Sequence, residues 1–227
     1  MTQRPLSRSV EDYLKAIYGL SRHGESATTS AVAESLDVQP ASVTGMVKKL
    51  AEEELVTYAP YRGVRLTDKG TTAALQVLRR HRILETYLCD RLGYSWDDVH
   101  AEAERLEHTS SDLLIERMAA ALGHPSHDPH GAPIPTPAGD IEATPTLTLA
   151  DASPGDAFRI QAVRDEDAGE LRSMAADGLV PGAQVRVTIG SPDGGVLSVL
   201  VGGDAGPALE VQDRLARRIF VTPEEAP

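Results

Sequence analysis

The chain is poor in the features that would place it outside a reducing, aqueous compartment. It has 227 residues and one cysteine, Cys89, so no internal disulfide can form. No stretch approaches the roughly 20 consecutive apolar residues of a membrane-spanning helix. The first residues, MTQRPLSRSVEDYL, lack the apolar core of a signal peptide. The expected location is the cytoplasm, with no membrane association. Positive charge is also scarce: 22 Lys and Arg stand against 34 Asp and Glu, a net charge of −12. What remains, 41% hydrophobic and 25% charged residues, is the composition of a soluble globular protein of one or two domains by length.

A net charge of −12 argues against a nucleic-acid partner only if it is spread evenly, and it is not. Residues 1–75 carry 9 basic and 9 acidic side chains, residues 76–122 carry 6 and 9, and residues 123–227 carry 7 and 16. The excess acid lies in the C-terminal half. A basic patch near the N-terminus is therefore allowed, and phosphate binding follows the local patch.

Hydrophobic periodicity divides the chain. Val10, Tyr13, Leu14 and Ile17 repeat at helical spacing, with Ser7 and Ser9 available as caps. A short helix over 29–36 and the tight connection Asp37-Val38-Gln39-Pro40 lead to a helix near 41–53, with Val43, Met46, Val47 and Leu50 on its inner face. Residues 55–67 alternate around a Pro/Gly turn and read as a hairpin. Long helices are expected over about 68–92 and about 95–122. Residues 123–139, GHPSHDPHGAPIPTPAG, hold five prolines and three glycines, cannot form a regular helix and read as a linker. Beyond them, 158–163, 184–189, 197–201 and 219–221 alternate as short strands, with a turn at 190–195, the pattern of a small antiparallel barrel.

Helix, tight turn, helix, hairpin is the order of a winged helix-turn-helix. Its second helix would enter the major groove by its N-terminal end. Gln39, Pro40, Ala41, Ser42 and Thr44 suit that end: small side chains permit close approach, and Gln39, Ser42 and Thr44 can bond to base edges or phosphates. Lys48, Lys49, Arg62 and Arg65 are the expected phosphate contacts. The competing reading is a winged helix that binds protein.

The segment VHAEAERLEH, 99–108, carries the other signal. On a continuous helix His100, Glu104, Glu107 and His108 share one face, and His81 and Glu85 pair at i, i+4 on the preceding helix. Carboxylates and imidazoles without thiols suit manganese, iron(II), cobalt or zinc. The pattern is neither HExxH nor a repeated Glu-x-x-His pair, and an enzyme is not expected; the alternative is a set of solvated surface ion pairs. Cys89 reads as a helix-core thiol, Trp96 as packing, and His124, His127 and His130 as solvated.

These residues carry a family resemblance. SVEDYL at 9–14, Val43-Thr44 with Val47, YRGVRLTDKG at 61–70, RHRILE at 80–85 and His100 to His108 are similar to the metal-dependent repressors of the diphtheria toxin repressor and manganese transport regulator family, over nearly the whole chain. The resemblance implies a mainly α protein with a small β domain. A winged-helix DNA-binding domain would occupy 1–75, a helical metal-binding and dimerisation domain 76–122, the linker 123–149, and an SH3-like barrel 150–227. It implies a homodimer on palindromic double-stranded DNA, and a primary metal site at Asp12, Glu104, Glu107 and His108. His81 would join that site or form a second with Glu85 and His100, to which Asp167 and Glu170 of the third domain would add oxygen. Asp12 stands where iron-type members have methionine, and Glu104 where they have cysteine. Hard oxygen in both places favours Mn²⁺ over Fe²⁺. Lys15 stands where short manganese-type members have a second acidic ligand, and a lysine cannot ligate at neutral pH. The expected function is a Mn²⁺-activated repressor of metal-uptake genes; the alternatives are an Fe²⁺-responsive repressor and a metal-independent regulator.

Overall fold

A computed structural model describes residues 6–21, 26–59, 62–143, 146–164, 167–190 and 195–224. Residues 60–61 of the expected hairpin turn, with Tyr61 of the family-like segment, and 191–194 of the turn expected at 190–195 lie outside them. The chain forms two compact units: residues 1–81, 106–111 and 135–140 make one, and 82–105, 112–134 and 141–227 the other.

In the first unit, α1 (Arg8–Leu20), α2 (Thr29–Ser35) and α3 (Pro40–Glu52) pack with the hairpin β1 (Val56–Ala59) and β2 (Gly63–Leu66). The helices α1 and α3 bury most of the stripe that periodicity marks: Val10, Tyr13, Leu14 and Ile17 from α1, and Val43, Val47 and Leu50 from α3, with Met46 half-buried against the same core. Thr28 caps α2 by accepting from the Ala31 amide, and Pro40 opens α3, where its missing N–H costs no hydrogen bond. Residue Gly63 is held at φ +86°, where a Cβ would lie 2.6 Å from the Ala27 carbonyl oxygen. That approach lets the wing bond to residue 27 through Val64. The long helix α4 (Asp68–Leu92) has the span its pattern predicts and contributes to both units.

One long helix is expected over 95–122, but the chain forms two, α5 (Val99–Leu106) and α6 (Asp112–Ala121). The break is made by Thr109-Ser110-Ser111. Thr109 Oγ1 donates to the Leu106 carbonyl, which also takes the amides of Thr109 and Ser110. Short hydroxyl side chains compete with helical backbone bonding in this way. Glu107 and His108 therefore stand in the turn after α5, not on its face.

The second unit holds a five-stranded antiparallel sheet in the order β6-β5-β4-β3-β7: β3 (Ala157–Val163), β4 (Gln184–Ile189), β5 (Val196–Val201), β6 (Ala208–Gln212) and β7 (Ile219–Pro223). Bulges at 160–162 and 187–189 bend β3 and β4. The helix α7 (Ala168–Ala176) sets Leu171 and Met174 into the core of this small SH3-like domain, and α8 (Asp213–Ala216) precedes β7. Neither α7 nor β6 is marked by the sequence pattern. Residues 123–143 form no helix or strand, as their prolines require, yet they are packed. The Val163 amide bonds to the His130 carbonyl, and Gly131, at φ +84°, crosses β3 where a Cβ would meet the Gln161 carbonyl oxygen at 2.0 Å.

Candidate DNA interface and metal centre

The outer face of α3 and the wing are each open to solvent in the first unit. Gln39, Pro40, Ala41, Ser42, Lys48, Lys49, Arg62 and Arg65 are all exposed. Thr44 is half-buried and donates to the Pro40 carbonyl at 3.3 Å, so it serves the helix as well. The Arg65 guanidinium donates to Ser26 Oγ at 2.7 Å, which sets its direction on the wing.

The metal-ligand cluster of the first unit grows from three segments. Burying Val10, Tyr13, Leu14 and Ile17 leaves Glu11, Asp12 and Lys15 along the half-buried edge of α1. α4 supplies Arg80 and His81. The turn after α5 supplies Glu107, whose side chain is 0% exposed, and His108, whose side chain is 5% exposed. His108 Nε2 lies 2.8 Å from Asp12 Oδ1 and 3.2 Å from Glu107 Oε1. Its Nδ1 lies 2.7 Å from Glu11 Oε2. Glu107 takes Lys15 Nζ on Oε1 at 2.8 Å and the His81 ring on Oε2 at 2.5 Å. Burial disfavours the Glu107 carboxylate, but the His81 hydrogen bond and the Lys15 charge outweigh it and hold its pKa below the ordinary value. Two carboxylate oxygens and an imidazole nitrogen thus converge, and a divalent cation suits that donor set.

The His81 ring is hydrogen-bonded to Glu107. The remaining expected ligands lie in the second unit: His100 Nδ1 is 3.0 Å from Glu85 Oε1, and His100 Nε2 is 3.8 Å from Glu104 Oε1. Next to them is a cluster that the sequence pattern does not mark. Glu85, Asp128 and His130 are all buried, with ligand atoms within 4.8 Å of one another. His130, expected to be solvated, is 0% exposed, whereas His124 is exposed and His127 half-buried. Irregular backbone has no hydrophobic period, so nothing in the sequence marks this histidine as an inward one. His130 Nε2 bonds to the Trp96 carbonyl at 2.8 Å, leaving Nδ1 toward Glu85 at 4.0 Å. Arg82 Nε lies 3.3 Å from Asp128 Oδ2 and also bonds to the Pro133 carbonyl, clamping the proline-rich segment to α4. Trp96 packs against the third-domain core. Cys89 is half-buried; burial, then the charges of Glu85 and Asp128, push its thiol up to about 11.

Asp167 and Glu170 belong to no such cluster among the described residues. The Asp167 carboxylate accepts the Glu170 amide and caps α7, which lowers its pKa. Glu170 is clamped by Arg214 at 2.7 Å and Arg218 at 2.9 Å. Sequence spacing sees a carboxylate pair; it does not see the arginines that fold onto it.

A winged helix carrying a nitrogen and oxygen metal-ligand cluster defines a class: DNA-binding regulators that answer to a divalent metal. Comparison with known proteins gives the family. Residues 5–64 match the iron dependent repressor N-terminal DNA binding domain, 67–136 the iron dependent repressor metal binding and dimerisation domain, and 147–223 the FeoA domain. The chain is 32% identical over 206 residues to the iron-dependent repressor IdeR of Mycobacterium tuberculosis, covering 86% of this chain and 89% of that one. A manganese-dependent transcriptional repressor in complex with manganese superposes with a TM-score of 0.89 at 36% identity, over 95% of this chain and 100% of that one. ScaR with bound Cd²⁺ superposes with a TM-score of 0.81 at 33% identity, over 94% and 98%. The chain belongs to the iron-dependent repressor family of metal-dependent transcriptional regulators. Among the described residues no helix is long and apolar enough to cross a membrane.

Proposed function

We propose that this chain is a manganese-activated homodimeric repressor that binds a palindromic operator and silences metal-uptake genes. The observation that carries this reading is the convergence of Asp12, Glu107 and His108. It joins α1, the first helix of the DNA-reading module, to the turn that follows α5. The donor atoms are two carboxylate oxygens and an imidazole nitrogen, a hard set that suits Mn²⁺ and leaves no sulfur for softer metals. Glu104, three residues before Glu107 and four before His108, is proposed as a further oxygen ligand. Glu85, Asp128 and His130, with His100 beside Glu85, are proposed as a second cation site.

A bound divalent cation supplies positive charge shared among side chains of separate segments. The residues do the rest. Asp12 fixes the position of α1, and through the shared core of α1, α2 and α3 it fixes the reading helix. Two reading heads held at one orientation match half-sites roughly 34–36 Å apart on one face of the duplex. Ordering in advance removes a cost from DNA binding, and DNA must tighten metal by the same factor. Lys15, already paired with Glu107, supports one cation rather than two at the first site.

The test is Asp12→Ala. Its operator binding should require at least tenfold more free Mn²⁺ than wild type, measured by fluorescence anisotropy in metal-buffered solution. An unchanged Mn²⁺ requirement contradicts the bridge. Half-maximal binding at lower free Fe²⁺ than Mn²⁺, measured without oxygen, would assign the protein to iron.

A further inference from the structure

We propose that Glu11 is the positioning residue for His108: it holds the imidazole so that Nε2 faces Asp12 and Glu107. The inference rests on the cation site proposed above. An imidazole has two nitrogens, and its ligating atom is set by the hydrogen bond that the other makes. Here Nδ1 lies 2.7 Å from Glu11 Oε2, while Nε2 lies 2.8 Å from Asp12 Oδ1. A carboxylate accepts hydrogen bonds but donates none, so Glu11 keeps a proton on Nδ1, and Nε2 would give its lone pair to a cation held by Asp12 and Glu107.

Glu11 is itself fixed. Its other oxygen, Oε1, takes Arg80 Nη2 at 2.5 Å, and the Glu11 and Arg80 side chains are 13% and 14% exposed. Arg80, Glu11 and His108 therefore form one line of hydrogen bonds from α4, through α1, to the turn after α5. Glu11 and Asp12, neighbours on α1, divide the work: one orients the imidazole and the other stands where it ligates. The competing account makes Glu11 only an acid in the first turn of α1, steadied by an arginine. That account predicts lost stability and no change in the His108 ring.

The two separate experimentally. In the full-length protein labelled with ¹⁵N-histidine and loaded with Cd²⁺, long-range ¹H–¹⁵N spectra should show His108 protonated at Nδ1 and bound through Nε2. Glu11→Ala should lose that signature and bind Cd²⁺ roughly 10- to 100-fold more weakly in competition with a chromophoric chelator. Glu11→Gln keeps an acceptor oxygen and should recover most of the affinity, which also guards against a folding defect in the alanine variant. A Glu11→Ala protein that melts earlier but keeps the wild-type His108 spectrum and Cd²⁺ affinity overturns the proposal and leaves the metal site standing. Wild-type protein whose His108 signals do not respond to Cd²⁺ overturns both.

Discussion

Replacing Lys15 with methionine should destabilise the metal-free protein and tighten metal binding at the same time. Lys15 Nζ sits 2.8 Å from Glu107 Oε1, and the Glu107 side chain is 0% exposed. Removing one partner of a buried ion pair costs about 3–5 kcal/mol. Two features reduce that here: the Lys15 side chain is 20% exposed, and Glu107 keeps its bond to His81. About 1–3 kcal/mol is the expected loss in the presence of chelator. With a divalent cation on Glu107 the carboxylate has its counter-charge again, and the variant should lose little. The thermodynamic cycle then requires the difference to reappear as affinity, about 5- to 150-fold tighter Mn²⁺ binding at tenfold per 1.4 kcal/mol. Differential scanning calorimetry in chelator gives the first leg and isothermal titration with Mn²⁺ the second. A Lys15→Met protein as stable as wild type without metal, or one that binds Mn²⁺ more weakly, would mean that Lys15 does not stand in for the cation at Glu107.

Other perturbations probe other parts of the molecule. Gly131→Ala forces a side chain into the Gln161 carbonyl at a positive φ and should cost about 2–4 kcal/mol by denaturant unfolding; a loss under about 0.5 kcal/mol would mean that the proline-rich segment lies loosely on β3. Cys89, raised to about 11 from 9.0, should react with iodoacetamide at pH 8 about 100-fold more slowly than an unperturbed thiol, since its thiolate fraction falls by that factor; a rate near the free-thiol value would contradict its burial. Leu92, Tyr94, Leu113 and Leu114 are large and exposed, with Leu113 69% exposed in the single chain. Leu113→Glu should weaken dimerisation at least tenfold by sedimentation, and an unchanged dimer would move the interface elsewhere.

Regular elements were legible where one face is apolar and the other wet. The α1 and α3 stripes, the wing alternation and the full length of α4 follow from spacing alone, because burial of a periodic face is what makes those segments helix or strand. The break after Leu106 was not legible from periodicity, since Thr109-Ser110-Ser111 ends the helix through hydroxyl competition that the apolar pattern does not record. A warning was present in the composition of that triplet. Asp12, Glu107 and His108 could be named because a family resemblance and their residue types agree. Glu11 was hidden by its neighbour: two adjacent acids on a helix look like one polar edge until the partners of each are known. His130 and Asp128 were hidden differently. They lie in irregular backbone among five prolines, where burial is decided by Arg82 and by the approach of Gly131 to β3.

The proposed function requires that metal occupancy control DNA binding. Fluorescence anisotropy on DNA from the chain's own promoter region, at fixed salt, tests it directly. The chelated protein should not bind, and added Mn²⁺ should restore binding that competitor chelator reverses. Binding of equal strength with and without chelator would leave the winged helix as a DNA reader and reduce the cluster around His108 to a structural network of ion pairs.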